Sequence, residues 1–291
     1  MRKRANILFT VILGILFLSC NAPQLNKKDI LSVSIDPQKY FLESIVKDRY
    51  DINCVIPAGS NPESFDPTPS QMVNLGKSKL YFKVGYFNFE NVWIKNVQEN
   101  NPGMKIIDCS EGIEAIAGHD ESECGHSHGH EGGDPHIWSS PQTAKLMIKN
   151  MYESILELDP DNNKFYTKNY NDLLIDISKT DSIIKSYLTK APSKSFIIYH
   201  PALSYFAHEY GLHQYSIEYE GKAPSPAQMK SLIDLAKKEN VKVVFVQQEF
   251  DSKNTETIAK EIGAKIVPVN LLSYYWNGEM IKIAKALALD E

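Results

Sequence analysis

The chain predicts an α/β protein of two lobes, each built on a four-stranded parallel sheet flanked by helices, with one long rigid helix joining them. Three observations carry this expectation. Short β-branched runs alternate with helix-length amphipathic stretches, the pattern of strand–helix units around parallel sheets. The runs fall into two sets of four. Between the sets lies one stretch of unbroken helical periodicity.

In the first set the strands are expected at residues 30–35, 50–56, 79–84 and 104–109, and in the second at 195–199, 212–219, 241–247 and 264–269. Equal numbers in the two halves imply two similar lobes. The connecting helix starts at Asp159, a capping residue, with Pro160 in the first helical position. Tyr166, Tyr170, Leu173, Ile177, Ile184 and Tyr187 then recur at multiples of three or four, and Ala191-Pro192 ends the run. About 30 residues at 1.5 Å each span roughly 45 Å, long enough to run along both lobes and restrain a hinge. The expected boundaries are an N-terminal lobe over 20–158, the linking helix over 159–190 and a C-terminal lobe over 191–291.

Residues 1–19 are expected to be a processing signal. Arg2, Lys3 and Arg4 precede an apolar run, Ile7 to Leu18, that is too short to span a membrane. It stops at Leu16-Phe17-Leu18-Ser19-Cys20, followed by polar residues. This resembles a bacterial lipoprotein signal, in which the cysteine becomes the lipidated first residue, although Phe17 stands where a small aliphatic residue is more usual. The expectation is therefore an exported protein anchored through Cys20 in the periplasm or at the cell surface, with an ordinary cleaved signal peptide as the alternative. Loss of the three basic residues moves the formal charge from −5 to −8. An acidic exported chain with no basic stripe is a poor candidate for binding nucleic acid, and no nucleic-acid partner is expected. Of the remaining cysteines, Cys54 and Cys109 lie in apolar strand runs and Cys124 in a polar tract, which is no disulfide scaffold.

That polar tract is the most distinctive feature. Five of the eight histidines, His119, His126, His128, His130 and His136, fall within 18 positions, spaced by glycines and acids. Neutral imidazole is the commonest protein ligand for zinc and related ions. Residues 118–133 carry too little apolar surface to fold alone, so a mobile chelating loop is expected, in which His119, His126, His128 and His130 are auxiliary ligands. His136 differs, being held in Asp134-Pro135-His136-Ile137-Trp138, where proline stiffens the chain and two large apolar residues can pack.

In open parallel sheets ligands bind beyond the carboxyl ends of the strands. Glu63, His136, His200 and Asn270 all follow expected strand ends, two in each half, so a cleft between lobes could gather them. Each also has a plainer reading: a core histidine for His200 and likewise for His136, a solvated loop acid for Glu63, a turn or cap residue for Asn270. His208 and His213 flank Glu209, but H-E-x-x-x-H is not the H-E-x-x-H that sets two imidazoles on one helical face, and Gly211 breaks the helix between them.

The segment 59–69, the motif Asp134-Pro135-His136-Ile137-Trp138, and His200-Pro201-Ala202-Leu203-Ser204-Tyr205-Phe206 leading to Tyr210-Gly211-Leu212 occur in a recognisable order. Phe245-Val246-Gln247-Gln248-Glu249-Phe250 and Ile262-Gly263-Ala264 add a fourth match. Across essentially the whole mature chain this resembles the substrate-binding lipoproteins of bacterial zinc and manganese ABC importers. Two positions depart from that family: Glu63 stands at its first histidine ligand and Asn270 at its usual C-terminal aspartate. The resemblance implies a site of Glu63, His136 and His200, with Asn270 or Glu220 as candidate neighbours and water or another acid in a fourth position.

The resemblance implies a monomeric binding protein, not an enzyme, that captures zinc between its lobes and passes it to the membrane permease of an ABC importer. Manganese or ferrous iron is the alternative cargo if Glu63 joins other oxygens. The reference imidazole pKa predicts that affinity falls below about pH 6. A secreted zinc hydrolase with a His2Glu site is the rival class, opposed by the lack of H-E-x-x-H, of G-x-S-x-G and of a clear general base. A surface adhesin retaining the binding fold is a third.

Overall fold

The computed structural model describes residues 28–116, 133–219, 221–248, 250 and 253–290. The signal segment, Cys20, Cys124, the loop histidines His119, His126, His128 and His130, and Glu220 lie outside the described residues.

All eight expected strands are present. The first four are β1 (Ile30–Val33), β2 (Asp51–Cys54), β3 (Leu80–Lys83) and β4 (Lys105–Asp108); the second four are β5 (Ser195–Ile198), β6 (His213–Ser216), β7 (Val243–Gln247) and β8 (Lys265–Val269). Each set forms one sheet, in the orders β2-β1-β3-β4 and β6-β5-β7-β8, and every pairing is parallel. The two lobes therefore repeat one topology. Most regular strands are shorter than the apolar runs that announce them, because the runs continue past the ladder. Val55 and Ile56 still donate to the Val33 and Ser34 carbonyls at 2.9 and 3.1 Å after β2 has ended.

The helices are α1 (Asp36–Val46), α2 (Pro69–Leu75), α3 (Asn88–Asn100), α4 (Pro141–Leu158), α5 (Asn163–Leu188), α6 (Ser204–Tyr210), α7 (Pro226–Lys238), α8 (Lys253–Ile262) and α9 (Trp276–Leu287). Three of them begin with a hydroxyl N-cap followed by proline: Thr68-Pro69, Ser140-Pro141 and Ser225-Pro226. The hydroxyl accepts an amide near the helix start, and the proline occupies a position whose N–H has no intrahelical acceptor.

Helix α5 is the predicted connection. A single 3-10 turn over Pro160–Asn162 precedes it, so the helix proper has 26 residues and spans about 39 Å. Asp159 works through its side chain, accepting from Asn162 Nδ2 at 2.9 Å and from the Tyr166 hydroxyl at 2.7 Å. Tyr166, Leu173, Ile177 and Ile184 are buried as the periodicity requires. That face packs on α1, α4 and α9, and Asn169 donates to the Ile45 carbonyl at 2.9 Å. One continuous apolar core, from Leu31 of the first sheet to Leu287 of α9, consequently crosses both lobes.

A reversal of strand order opens a crevice at the carboxyl edge of each sheet. In the first lobe, between β1 and β3, Glu90 of α3 fills it. This buried carboxylate accepts the Val84 amide at 2.8 Å and the Gly85 amide at 2.7 Å, and is also bonded by the Ser34 hydroxyl. Gly85 has φ +117, and a Cβ there would stand 2.5 Å from the Ser110 hydroxyl oxygen. The first lobe thus closes its own crevice, and the ligand-bearing loops are the outer ones, after β2 and β4.

Candidate metal centre

His200 follows β5 at the second lobe's crevice, where the backbone is locked to β7. The His200 amide donates to Gln247 Oε1 at 3.3 Å, and Gln247 Nε2 returns a bond to the His200 carbonyl at 2.7 Å. The ring Nδ1 lies 2.6 Å from Glu218 Oε1. The opposite nitrogen, Nε2, then faces Glu63 Oε1 at 3.2 Å. Phe250 stacks on the ring with centroids 5.2 Å apart.

His136 repeats the arrangement on the other wall. Asp134 Oδ1 accepts the His136 amide at 2.8 Å and lies 2.8 Å from its ring Nδ1, turning Nε2 inward. The His136 and His200 rings are 5.1 Å apart, and Trp138 packs 5.2 Å from His136. Buried carboxylates behind both imidazoles orient the rings and raise their basicity as ligands.

Glu63 completes the group from the loop between β2 and α2, its amide bonded to Asn61 Oδ1 at 2.9 Å. Its Oε1 is 3.9 Å from His136 Nε2. With a side chain 39% exposed, against 8% for His136 and 11% for His200, it is the outermost of the three. Donor atoms of Glu63, His136 and His200 all lie within 4.8 Å of one another. Tetrahedral zinc with bonds near 2.05 Å needs donor–donor edges of about 3.3 Å. Of the three edges, Glu63–His200 at 3.2 Å already meets that, Glu63–His136 at 3.9 Å is wider by about 0.6 Å, and the third lies within 4.8 Å. The cavity beside them is about 30 Å³, walled by Trp138, Phe250, Leu271 and Leu272. It suits a single ion with little more than one small extra donor.

The electrostatics follow from these contacts. Burial opposes a charged His200, but the Glu218 and Glu63 carboxylates outweigh it and push the pKa up to about 10. The imidazole of the metal-free site therefore carries its proton at neutral pH, and the pH 6 threshold expected from the reference value does not describe this residue. Burial would likewise raise the Asp134 carboxyl, yet His136 and the Ser204 hydroxyl hold it below the usual carboxylate range.

The structure gathers Glu63, His136 and His200 as the strand-end rule anticipates, and leaves Asn270 in a turn. Asn270 Oδ1 accepts the Leu272 amide at 3.1 Å and its own amide donates to Glu279 Oε1 at 2.8 Å. It shapes the cavity through Leu271 and Leu272. Glu220 lies outside the described residues. The sequence pattern assigns no role to Glu218, Asp134 or Gln247, which the structure places behind the two imidazoles. Glu218 falls inside the strand expected at 212–219, but β6 ends at Ser216, which puts it just beyond the strand's carboxyl end. Asp134 precedes His136 by two residues, a spacing that lets one carboxylate serve both amide and ring. The H-E-x-x-x-H reading is closed: Gly211, at φ +61, ends α6, and His213 begins β6.

Two matching α/β lobes with one small, donor-lined cavity between them define a two-lobed substrate-binding protein. The model of the family described as zinc-uptake complex component A, periplasmic, matches residues 32–279, and the chain belongs to that family of zinc and manganese ABC substrate-binding proteins. It is 34% identical over 247 residues to the high-affinity zinc uptake system protein ZnuA of Bacillus subtilis, covering 81% of this chain and 76% of that one. It is 25% identical over 237 residues to the manganese ABC transporter substrate-binding lipoprotein PsaA of Streptococcus anginosus, covering 77% and 74%. A crystal structure of ZnuA superposes with a TM-score of 0.82 at 33% identity, covering 90% of this chain and 99% of that chain.

Proposed function

We propose that this protein captures one zinc ion through Glu63, His136 and His200 and delivers it to the membrane permease of an ABC importer. The observation that carries the reading is the convergence of two Nε2 atoms and a carboxylate oxygen within 4.8 Å. Two imidazoles and one carboxylate match a zinc donor set, and the small apolar-walled cavity favours four-coordination. The protein acts as a monomer outside the cytoplasm, held to the membrane through Cys20. The histidines of 118–133 serve as an accessory collector, dispensable for the cavity itself.

Manganese is the competing cargo, because the carboxylate at position 63 adds a hard oxygen donor where the family resemblance implies a histidine. The two are separated by stripping the mature protein and equilibrating it with equimolar zinc, manganese and ferrous iron. One equivalent of zinc retained after desalting, also by a variant lacking 118–132, supports the proposal. Comparable retention of manganese defeats the zinc assignment, and loss of all binding in the deletion variant defeats the cavity as the principal site.

A further inference from the structure

The segment carrying His136 belongs by chain order to the first lobe, where the Asp134 amide donates to the Ile116 carbonyl at 2.9 Å and Phe87 packs on Trp138, yet three further hydrogen bonds tie it to residues of the second half. Trp138 Nε1 donates to the Leu271 carbonyl at 2.8 Å, and Trp276 Nε1 donates to the Trp138 carbonyl at 2.7 Å. The Tyr205 hydroxyl donates to the Asp134 carbonyl at 3.0 Å. Both indoles are 1% exposed, so loss of either bond strands a buried polar group. His200 is held on the second lobe through Gln247 and Glu218, while Trp276 packs on Phe41 of α1, so the two indoles sit where the lobes meet. The loop bearing Glu63 is tied elsewhere. Gln71 of α2 donates to the Val55 carbonyl at 3.2 Å, Trp93 of α3 donates to Asp66 at 2.9 Å, and Phe65 packs on Phe89.

We propose that Trp138 and Trp276 are positioning residues that hold His136 beside His200 where the two lobes meet, so that His136 and His200 form one preformed two-nitrogen seat and Glu63, on its outer loop, is the ligand that moves. The inference rests on the metal-binding reading of the site. It changes how an ion leaves: withdrawing the Glu63 loop removes one donor and leaves the other two in place, and the ion is left on a seat that no longer encloses it. Preorganisation explains why each indole N–H is spent on a backbone carbonyl of a neighbouring segment rather than exposed to water, since a site held to within fractions of an ångström needs support from outside its first ligands.

The test is hydrogen–deuterium exchange of the mature protein with and without one equivalent of zinc, read at 57–68 and at 134–140. Zinc is expected to slow exchange at 57–68 by roughly tenfold or more and to leave 134–140 within about twofold, because the clamp already protects it. In Trp138→Phe, which keeps an aromatic ring and loses the N–H, metal-free exchange at 134–140 accelerates, zinc protection spreads to that segment, and a chelator chase shows zinc leaving roughly tenfold faster. Trp276→Phe gives the same pattern and stands in should Trp138→Phe fail to fold. Ile177→Ala, in the shared core away from the cavity, destabilises the fold but leaves zinc dissociation within about twofold, which separates positioning from general weakening. Equal zinc protection at both segments in the wild type overturns the clamp, as does a tryptophan variant that folds and exchanges like wild type. A wild-type protein that retains no zinc after desalting defeats the metal-binding reading itself.

Discussion

Glu218 Oε1 lies 2.6 Å from Nδ1 of His200, and this contact determines which face of the imidazole meets an ion. With Nδ1 held, Nε2 is left pointing at Glu63, and the carboxylate behind the ring makes that nitrogen a better donor. Glu218→Gln keeps a hydrogen-bonding side chain and removes the charge. We predict that it weakens zinc affinity roughly 10–100-fold while preserving the fold. Chelator competition beside a circular-dichroism melt checks this, and unchanged affinity contradicts it.

The raised pKa of His200, at about 10, makes binding proton-coupled. The folded value exceeds the ordinary 6.5, so the proton's contribution to metal-free stability is whole below pH 6.5 and is lost as pH rises through about 10. Zinc needs the same nitrogen and must expel that proton. Apparent affinity is therefore predicted to rise about tenfold per pH unit between pH 7 and 9. Calorimetry at pH 8 in buffers of differing ionisation enthalpy should count at least one proton released. An affinity profile that is flat over this range refutes the assignment.

Glu63 is predicted to set the balance between metals. Glu63→His supplies a third imidazole, so the ratio of zinc to manganese retained from an equimolar mixture should rise. Glu63→Ala leaves two nitrogens and should bind zinc at least roughly tenfold more weakly, mainly through faster dissociation. A Glu63→His variant that gains manganese relative to zinc runs against this account.

The core common to both lobes predicts one cooperative unfolding event. Ile177 of α5 is fully buried, and Ile177→Ala should cost about 2–5 kcal/mol. Denaturant titration followed by far-UV circular dichroism and by tryptophan fluorescence should give coincident transitions. Two separated transitions would mean that the lobes are independent.

Much of this architecture is legible in the residues. Four-residue strands such as Ile30–Val33 and Ser195–Ile198 sit inside the apolar runs that announce them, and the α5 periodicity marks its buried face. The strand-end rule points to Glu63, His136, His200 and Asn270, and the first three bring donor atoms within 4.8 Å of one another. What remained hidden depends on contacts between distant segments. Nothing local to Trp138 signals that its indole meets Leu271, or that its carbonyl meets Trp276, across 133 and 138 positions. Glu218 was masked by an equally acidic neighbour two residues on, and only the strand register sends its side chain to His200. Asn270 shows the converse, a polar residue at a strand end whose side chain serves its own turn, the plainer of its two readings.

The central claim, that Glu63, His136 and His200 hold zinc, is tested most directly by X-ray absorption at the zinc edge of protein lacking 118–132 and loaded with one equivalent. The account predicts a four-coordinate ion with about two imidazoles and oxygen in the remaining positions, at 2.0–2.2 Å. It also predicts that the imidazole scattering falls by about half in either His136→Ala or His200→Ala. Six oxygen or nitrogen neighbours with no imidazole signature, or a spectrum unchanged by both substitutions, contradicts it.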